Sequence, residues 1–440
     1  MKNHFKDLSF KLFDALIEGE ILSTSFSGEN SQFIRLNQAK VRQTGLVDDF
    51  DLGLKLISDG RTTSGSLTLS GNLEKDETQA ISLLTTLRSE ISQLPKDPYI
   101  VMPSGAPSSE NITVGNGLPF ENATEALIPS LSDTDFVGIW ASGKIYRGNA
   151  NSFGQFHWFE TDNFALDYSL VTPEHQMVKG TFAGKDWDQA NYEQNIKNSL
   201  KKLELMNRKP VKIKPGDYRT WFEPAAVSGF LDMFSWNGIS EASLQQGSSS
   251  FGKMRHDGIQ LSPHFTLSED FSSGMVPRFN GNGEVAEESR TLIENGQLIQ
   301  TLISSRTAAE YGVESNQAES GEYLRAPIMN PGNLTQDNVV ETIGDGLFLS
   351  NIHYLNWSDN PGGRVTGLTR YACFKVENGE IVAPIETMRF DDTFYRYFGT
   401  ELEAIGDTTF VLPEVGSYGG RDIGGTVCPG ILVKSFSLTL

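Results

Sequence analysis

The stretch Tyr218–Met254, YRTWFEPAAVSGFLDMFSWNGISEASLQQGSSSFGKM, constrains the fold more than any other. It follows the hinge Lys209–Pro215, KPVKIKP, where proline fits poorly inside a helix and biases the preceding residue toward extended backbone. Glu223-Pro224 then marks a helix start, and Ala226, Phe230, Met233 and Phe234 recur at helical spacing. The helical pattern breaks at Gly238 and gives way to the polar run Gln245–Ser250. The hinge therefore divides the chain into an N-terminal domain, 1–209, a linker, 210–215, and a C-terminal domain, 216–440. More than one domain is expected of 440 residues.

The flanking segments mix both element types. Phe5, Leu8, Leu12, Phe13, Leu16 and Ile17 lie on one face of an opening amphipathic helix, which has neither the apolar run nor the cleavage site of a signal peptide. Strands are expected at Ile21–Phe26 and Gln32–Leu36 around a turn at Gly28-Glu29-Asn30, then at Lys40–Leu46, Asp51–Ser58 and, past the hairpin signal Asp59-Gly60, Arg61–Ser70. A helix follows over Glu77–Gln93 and a loop over Pro95–Gly117. Next come strands at Phe136–Tyr146, with Ser142-Gly143 near its turn, at Ser152–Thr161 and at Phe164–Val171, and a helix over Trp187–Leu205. In the C-terminal half, Asn295-Gly296 and Asn378-Gly379 supply the positive backbone angles of tight hairpins. Short helices are expected at Asn338–Thr342 and Phe394–Ile405, and a closing strand at Ile431–Leu438. The fold class is α+β: an N-terminal domain of antiparallel strands and helices, and a larger β-rich C-terminal domain with a central helix.

A formal net charge of −20 argues against nucleic acid as a direct partner, since phosphate binding needs clustered Lys and Arg. The one basic cluster, Lys197, Lys201, Lys202, Arg208, Lys209, Lys212 and Lys214, reads as the solvated face of a helix and linker. Two cysteines make no disulfide framework and no apolar run approaches membrane-spanning length, so a cytoplasmic location is expected. The six histidines are scattered, and neither HExxH nor HExxxH occurs. His256 and His264, with Glu269 and Asp270 nearby, are weak metal candidates, as is Cys428 before a proline; Cys373 reads as core. Gly247-Ser248-Ser249-Ser250 lacks the strand–turn–helix setting of a serine nucleophile. No catalytic residue and no cofactor site is assigned from these patterns.

Several segments resemble the TldD/PmbA (TldD/TldE) family. Ser248–Met254, SSSFGKM, is similar to its serine/phenylalanine segment after the central helix, and 284–306, EVAEESRTLIENGQLIQTLISSR, to its LIENG-containing block, followed by Ala308-Ala309 and Gly312. Gly344–Leu349, Gly367–Ile381 and Gly406-Asp407 match later glycine-rich blocks; Gln43–Gly71 matches more weakly. The resemblance implies an α+β protein that dimerises around an internal cavity. It also implies one of two branches: a zinc metalloprotease with an HExxxH helix and a cysteine as a further ligand, or a TldE/PmbA-like partner lacking the histidine pair. Together such proteins degrade or trim peptides. Where HExxxH would fall, 231–243 reads LDMFSWNGISEAS and contains no histidine.

Zinc needs about three protein ligands plus water to generate hydroxide; Glu241 without imidazoles does not hold it, and Cys428 alone does not replace the set. The expectation is a non-zinc-binding subunit that handles peptides with a TldD-type partner carrying the zinc, or as a dimer with itself. The alternatives are a peptidase in its own right around His256, His264 and Cys428, and a peptide-binding protein without proteolysis.

Overall fold

The computed structural model describes residues 1–105 and 107–440. Its N-terminal half is built on one seven-stranded sheet. Arg61–Thr68, Lys40–Ser58, Glu20–Asn37, Asp135–Asn151 and Phe156–Val171 follow one another antiparallel; Met177–Gly184 pairs antiparallel and Ser109–Thr113 parallel with the last. Leu and Phe alternate with polar residues along these strands, the pattern of a sheet buried on one side. Helices Lys2–Asp14 and Leu73–Ile91 cover it through Phe5, Leu8, Leu12, Leu84 and Leu87. Asn72 caps the second helix by accepting the Lys75 N–H at 3.0 Å.

The expected short strands are far longer than the sequence suggests. Glu20–Asn37 runs unbroken through Gly28-Glu29-Asn30, Lys40–Ser58 through 47–50, and Asp135–Asn151 through Ser142-Gly143. The glycines misread as turns mark close approaches between strands: a Cβ on Gly28 would lie 2.6 Å from the Phe50 ring, and one on Gly143 would lie 2.2 Å from the Asn30 carbonyl. Phe156–Val171 likewise replaces two expected strands, and Ser109–Thr113 lies inside the expected loop. The hairpin at Asp59-Gly60 forms as expected, with φ of 48° and 71°.

The C-terminal half carries a six-stranded and a seven-stranded sheet. In the second, Gly346–Asp359, Gly216–Phe222, Ile431–Leu438, Arg389–Thr393 and Arg364–Glu377 pair in succession, and the last pairs back with the first. This closed ring of strands leaves few free edges. The six-stranded sheet sets Leu267–Asp270, Pro327–Met329, Gly425–Cys428 and Phe410–Pro413 side by side. Both Asn-Gly hairpins form, with φ of 47° and 80° at Asn295-Gly296 and 52° and 74° at Asn378-Gly379. The helix expected over Phe394–Ile405 is instead one wide turn, Arg396–Thr400, followed by strand Leu402–Ile405, because Leu402 and Ile405 pair with Ile431–Leu438.

The hinge is not a free tether. Val211 accepts the Glu386 N–H at 3.1 Å and donates its own to Pro384 O at 2.9 Å, and Ile213 is part of the C-terminal core. One hydrophobic cluster joins Trp140, Tyr192 and Ile196 of the first half to Val339, Phe374 and Leu432 of the second. The two halves therefore share buried surface.

Candidate functional site

The central helix forms as Pro224–Ser235. Pro224 occupies its first turn, where the missing N–H costs nothing. Ala226, Val227, Phe230, Leu231, Met233 and Phe234 are buried. Phe230 alone contacts Phe222, Phe390, Phe436 and Tyr397, the last stacked at 4.3 Å. Asn237, at φ 61°, turns the chain, and Gly238 donates to Phe234 O where a Cβ would meet that oxygen at 2.7 Å. In this apolar helix Asp232 is the one charged side chain, and it points into a cavity of ≈ 690 Å³ between the two halves.

Each wall of that cavity comes from a different part of the chain. Ser25 and Ser27 and Arg147–Asn149 of the N-terminal sheet form one side; 276–281 and 323–327 form another. The glycine-rich strap 414–424, after strand Phe410–Pro413, contributes Glu414 and Asp422. The halves are stitched together here. Asn149 Nδ2 donates to Gly281 O at 3.0 Å, His157 Nε2 lies 3.0 Å from Gly283 O, and Lys55 donates to Asn282 at 3.2 Å. Arg421 anchors the strap: its N–H donates to Glu29 at 3.1 Å and its guanidinium to Ser31 Oγ, Gly143 O and Asn163. Burial pushes the Arg421 pKa down to about 10, against the pull of Glu29 and Asp162.

The electrostatics of the cavity follow from carboxylates placed near one another without donors. Protein surrounds the Asp232 carboxyl although the side chain is open to the cavity; burial, then the charge of Glu414, raise its pKa to about 7. Glu414 is raised by burial and by Asp422. Arg147 faces Asp422 and Glu29, and burial lowers its pKa against their pull. None of Asp232, Glu414 and Asp422 has a side-chain hydrogen bond or ion pair among the described residues.

The residues singled out from the sequence lie elsewhere or serve the fold. His256 ends the short helix Gly252–His256, His264 lies in a turn, and both are exposed. Glu269 is buried and held by Arg290, Nε to Oε2 at 3.1 Å, and by the Arg325 N–H at 2.6 Å. Cys428 is fully buried, its thiol turned to Pro224 O at 3.3 Å; burial and then Asp232 push its pKa upward. Cys373 is core as expected, its thiol raised to about 11 by burial. Ser249 donates to Gly238 O at 2.6 Å, and Ser248 to Ser243 O at 3.3 Å, so the serine run ties down the turn after the helix. In the basic cluster all are exposed except Lys202, which pairs with Glu223 at 2.6 Å.

Glu241 opens helix Glu241–Gln245 and is buried. Burial opposes its charge, but bonds from Arg255, Thr301 and Gln245 outweigh that and lower its pKa. A catalytic zinc needs three protein ligands and an open position. Over 231–243 the chain directs one carboxylate, Asp232, into the cavity; Glu241 is committed to Arg255, and the Cys428 thiol is held protonated. Among the described residues no three His, Cys, Asp or Glu side chains are placed to hold a metal ion. This donor set does not fit a catalytic zinc.

Asp232, Glu414, Asp422 and Arg147 were not singled out from the sequence. Asp232 carries a usable signal, a lone charge in an otherwise apolar helix. The others meet it only through the strap and a strand of the opposite half.

Residues 215–440 match the family profile described as the PmbA/TldA metallopeptidase C-terminal domain. No curated protein matches the chain. Solved structures similar over the whole fold include a candidate modulator of a DNA gyrase from Thermotoga maritima, with 18% identity, 100% of both chains covered and a TM-score of 0.76. TldE from Thermococcus kodakarensis shares 14% identity over 99% of this chain and 100% of that one, at a TM-score of 0.73. A candidate modulator of DNA gyrase from Bacteroides thetaiotaomicron shares 16% identity over 100% of this chain and 98% of its own, at 0.77.

Proposed function

Because the chain belongs to the PmbA/TldD metallopeptidase family, we propose that it is a TldE/PmbA-like subunit that does not bind zinc itself and handles peptides together with a zinc-bearing TldD-type partner. The observation that carries this reading is the helix and turn at 231–243, which turns Asp232 toward the inter-domain cavity and otherwise packs Leu231, Met233 and Phe234 into the core. A hydrolytic helix in this place would need two imidazoles beside a carboxylate. The likeness to a solved TldE supports the same branch. In this reading the chain supplies the cavity wall and positions the peptide. Water activation belongs to the partner.

Co-expression with an HExxxH-bearing relative from the same genome, followed by pull-down, metal analysis and peptide cleavage, tests this. The expected result is a stable complex that cleaves peptides only when both chains are present, with zinc retained after mutation of Cys428. A chain that stays monomeric in the relative's presence, or that cleaves alone with chelator sensitivity, overturns it.

A further inference from the structure

We propose that a smaller cavity under the glycine-rich strap is a subsite for one aromatic side chain of a peptide, its ring laid over Ala141, Ala165 and Ala183. The proposal rests on the peptide-handling reading above and adds which side chain is selected and where.

The floor of this ≈ 340 Å³ cavity is the face of the N-terminal sheet opposite to Trp140 and Leu166, which are buried in the shared core. Ala141 pairs with Ala165, and Ala165 with Ala183, so three methyl groups sit in register on adjacent strands. Strands lie about 4.8 Å apart, which makes a flat patch about 10 Å wide. Met275, together with Val411, Pro413 and Ile423 of the strap and the strand before it, forms the walls. Each of these side chains is half-buried or exposed, and Val411 is 55% exposed. Covering such surface with apolar atoms is favourable.

A second observation, independent of the alanines, points to a ligand in the same place. Thr161 is 4% exposed and lines the cavity from the strand of Ala165, four residues away and therefore on the same face. Its hydroxyl has no hydrogen-bond partner among the described residues. A polar group enclosed to this degree is normally bonded, so its partner comes from what the cavity holds. An apolar body with an amide beside it meets both requirements, and a peptide residue is such a group.

The charges of the lining do not call for an ion. Asp167 is paired with Lys179, and the Arg421 guanidinium is held by Ser31, Gly143 and Asn163. Lys185, Glu414 and Asp422 are exposed and keep their hydration. Size and shape then choose the side chain. About 150 Å³ of apolar cavity takes a benzene ring, so ≈ 340 Å³ accommodates an indole or phenyl ring with its stem. A planar ring covers all three methyls at once, and the Met275 thioether suits a ring edge. Glu414, Asp422 and Ile423 also line the ≈ 690 Å³ cavity, so a peptide lying there reaches this one under the strap.

The test is isothermal titration calorimetry of the full-length chain with the blocked pentapeptide acetyl-Gly-Gly-Trp-Gly-Gly-amide. The same peptide with Leu or Ala at its centre, and indole alone, are measured beside it. The Trp peptide should bind about tenfold or more tightly than the Ala peptide and than indole, and more tightly than the Leu peptide. Ala165→Leu, which raises a side chain from the floor, should weaken the Trp peptide about tenfold or more. Ala190→Leu, the same change at an exposed position of helix Gln189–Met206, should leave it within about twofold. Thr161→Val keeps the shape, removes the hydroxyl and should weaken binding about threefold or more. Equal binding of the Trp peptide and any of the other three probes, or equal effects of Ala165→Leu and Ala190→Leu, overturns the proposal. A urea midpoint checks that Ala165→Leu folds. Should it not, Thr161→Val decides: a loss supports the subsite and unchanged binding overturns it. A chain that pulls down the HExxxH relative but shows no preference for the Trp peptide fails this proposal alone. A chain that shows the preference but captures no relative fails the subunit reading alone.

Discussion

Two sets of carboxylates in the C-terminal half are built from the same chemistry and meet opposite fates. Glu241, Glu269 and Glu322 are 2%, 1% and 1% exposed, and each is met by donors. Asp232, Glu414 and Asp422 face the inter-domain cavity and are met by none among the described residues. Burying a charge is costly unless it is paired and hydrogen-bonded. The first set satisfies that condition and holds the domain together. The second stays open to solvent and keeps its bonding capacity for something else. What separates the two sets is therefore the presence or absence of a donor.

The sharpest way to break this contrast is Glu269→Ala. Arg290 has a side chain 2% exposed and Glu269 is its ion-pair partner, so truncation strands a buried guanidinium. The expected loss is about 3–5 kcal/mol, read as a lowered midpoint in urea unfolding. A loss below about 1 kcal/mol would place Glu269 with the dispensable set.

Glu322→Ala probes the same set with no ion pair involved. Its carboxylate accepts from Ser240 Oγ at 2.6 Å, the Ala242 N–H at 2.9 Å and the Ser304 N–H at 2.8 Å, joining the short helix after the central turn to the start of helix Ser305–Tyr311. Two buried N–H groups would lose their acceptor. A loss of about 3 kcal/mol is expected, with hydrogen exchange speeding up at Ala242 and Ser304 ahead of the rest.

These satisfied acids show how far sequence reading reaches. Asn295-Gly296 and Asn378-Gly379 are legible as hairpins because a tight turn needs positive φ locally. Gly28 and Gly143 are not, because the same residue type also admits a close strand, and only the partner across the sheet decides which use is made. The absence of a histidine pair over 231–243 is likewise a local fact, legible without the fold. Asp232 could have been noticed as one charge in an apolar helix. Glu414 and Arg147 could not: they join it only where the strap crosses a sheet from the other half. The pairing of Glu322 with residues 80 positions upstream is equally invisible in the sequence.

Asp232→Asn tests the second set and should change stability with the opposite sign. Burial raises the Asp232 pKa to about 7, so between about pH 4 and pH 7 the folded chain holds a proton that the unfolded chain releases. Its contribution is favourable at low pH and is lost as pH rises through about 7. The variant, which never ionises, should match wild type only near about pH 3, below the carboxyl's unfolded pKa, and exceed it at about pH 8. Solvent reaching the carboxyl from the cavity reduces the full effect to about 1 kcal/mol. Urea midpoints at the two pH values check this. Equal differences at both would mean that the change acts through packing.

The smallest effect belongs to a carboxylate between the two sets. Glu403 has a donor, since Arg219 Nε reaches Oε2 at 2.9 Å and its Nη2 reaches Oε1, but its side chain is 28% exposed. Solvation competes with the pair, so Glu403→Gln should cost about 0.5 kcal/mol, and less in 1 M salt. Arg219 also donates to Ile343 O at 3.1 Å, so the guanidinium keeps a partner when the charge opposite is removed. Arg290 likewise keeps a bond to Asn316 O at 2.5 Å, so what separates the two pairs is burial: side chains 2% and 1% exposed for Arg290 and Glu269, 32% and 28% for Arg219 and Glu403. A salt-independent loss as large as that of Glu269→Ala would show that donor count, and not burial of the pair, sets how much a carboxylate contributes.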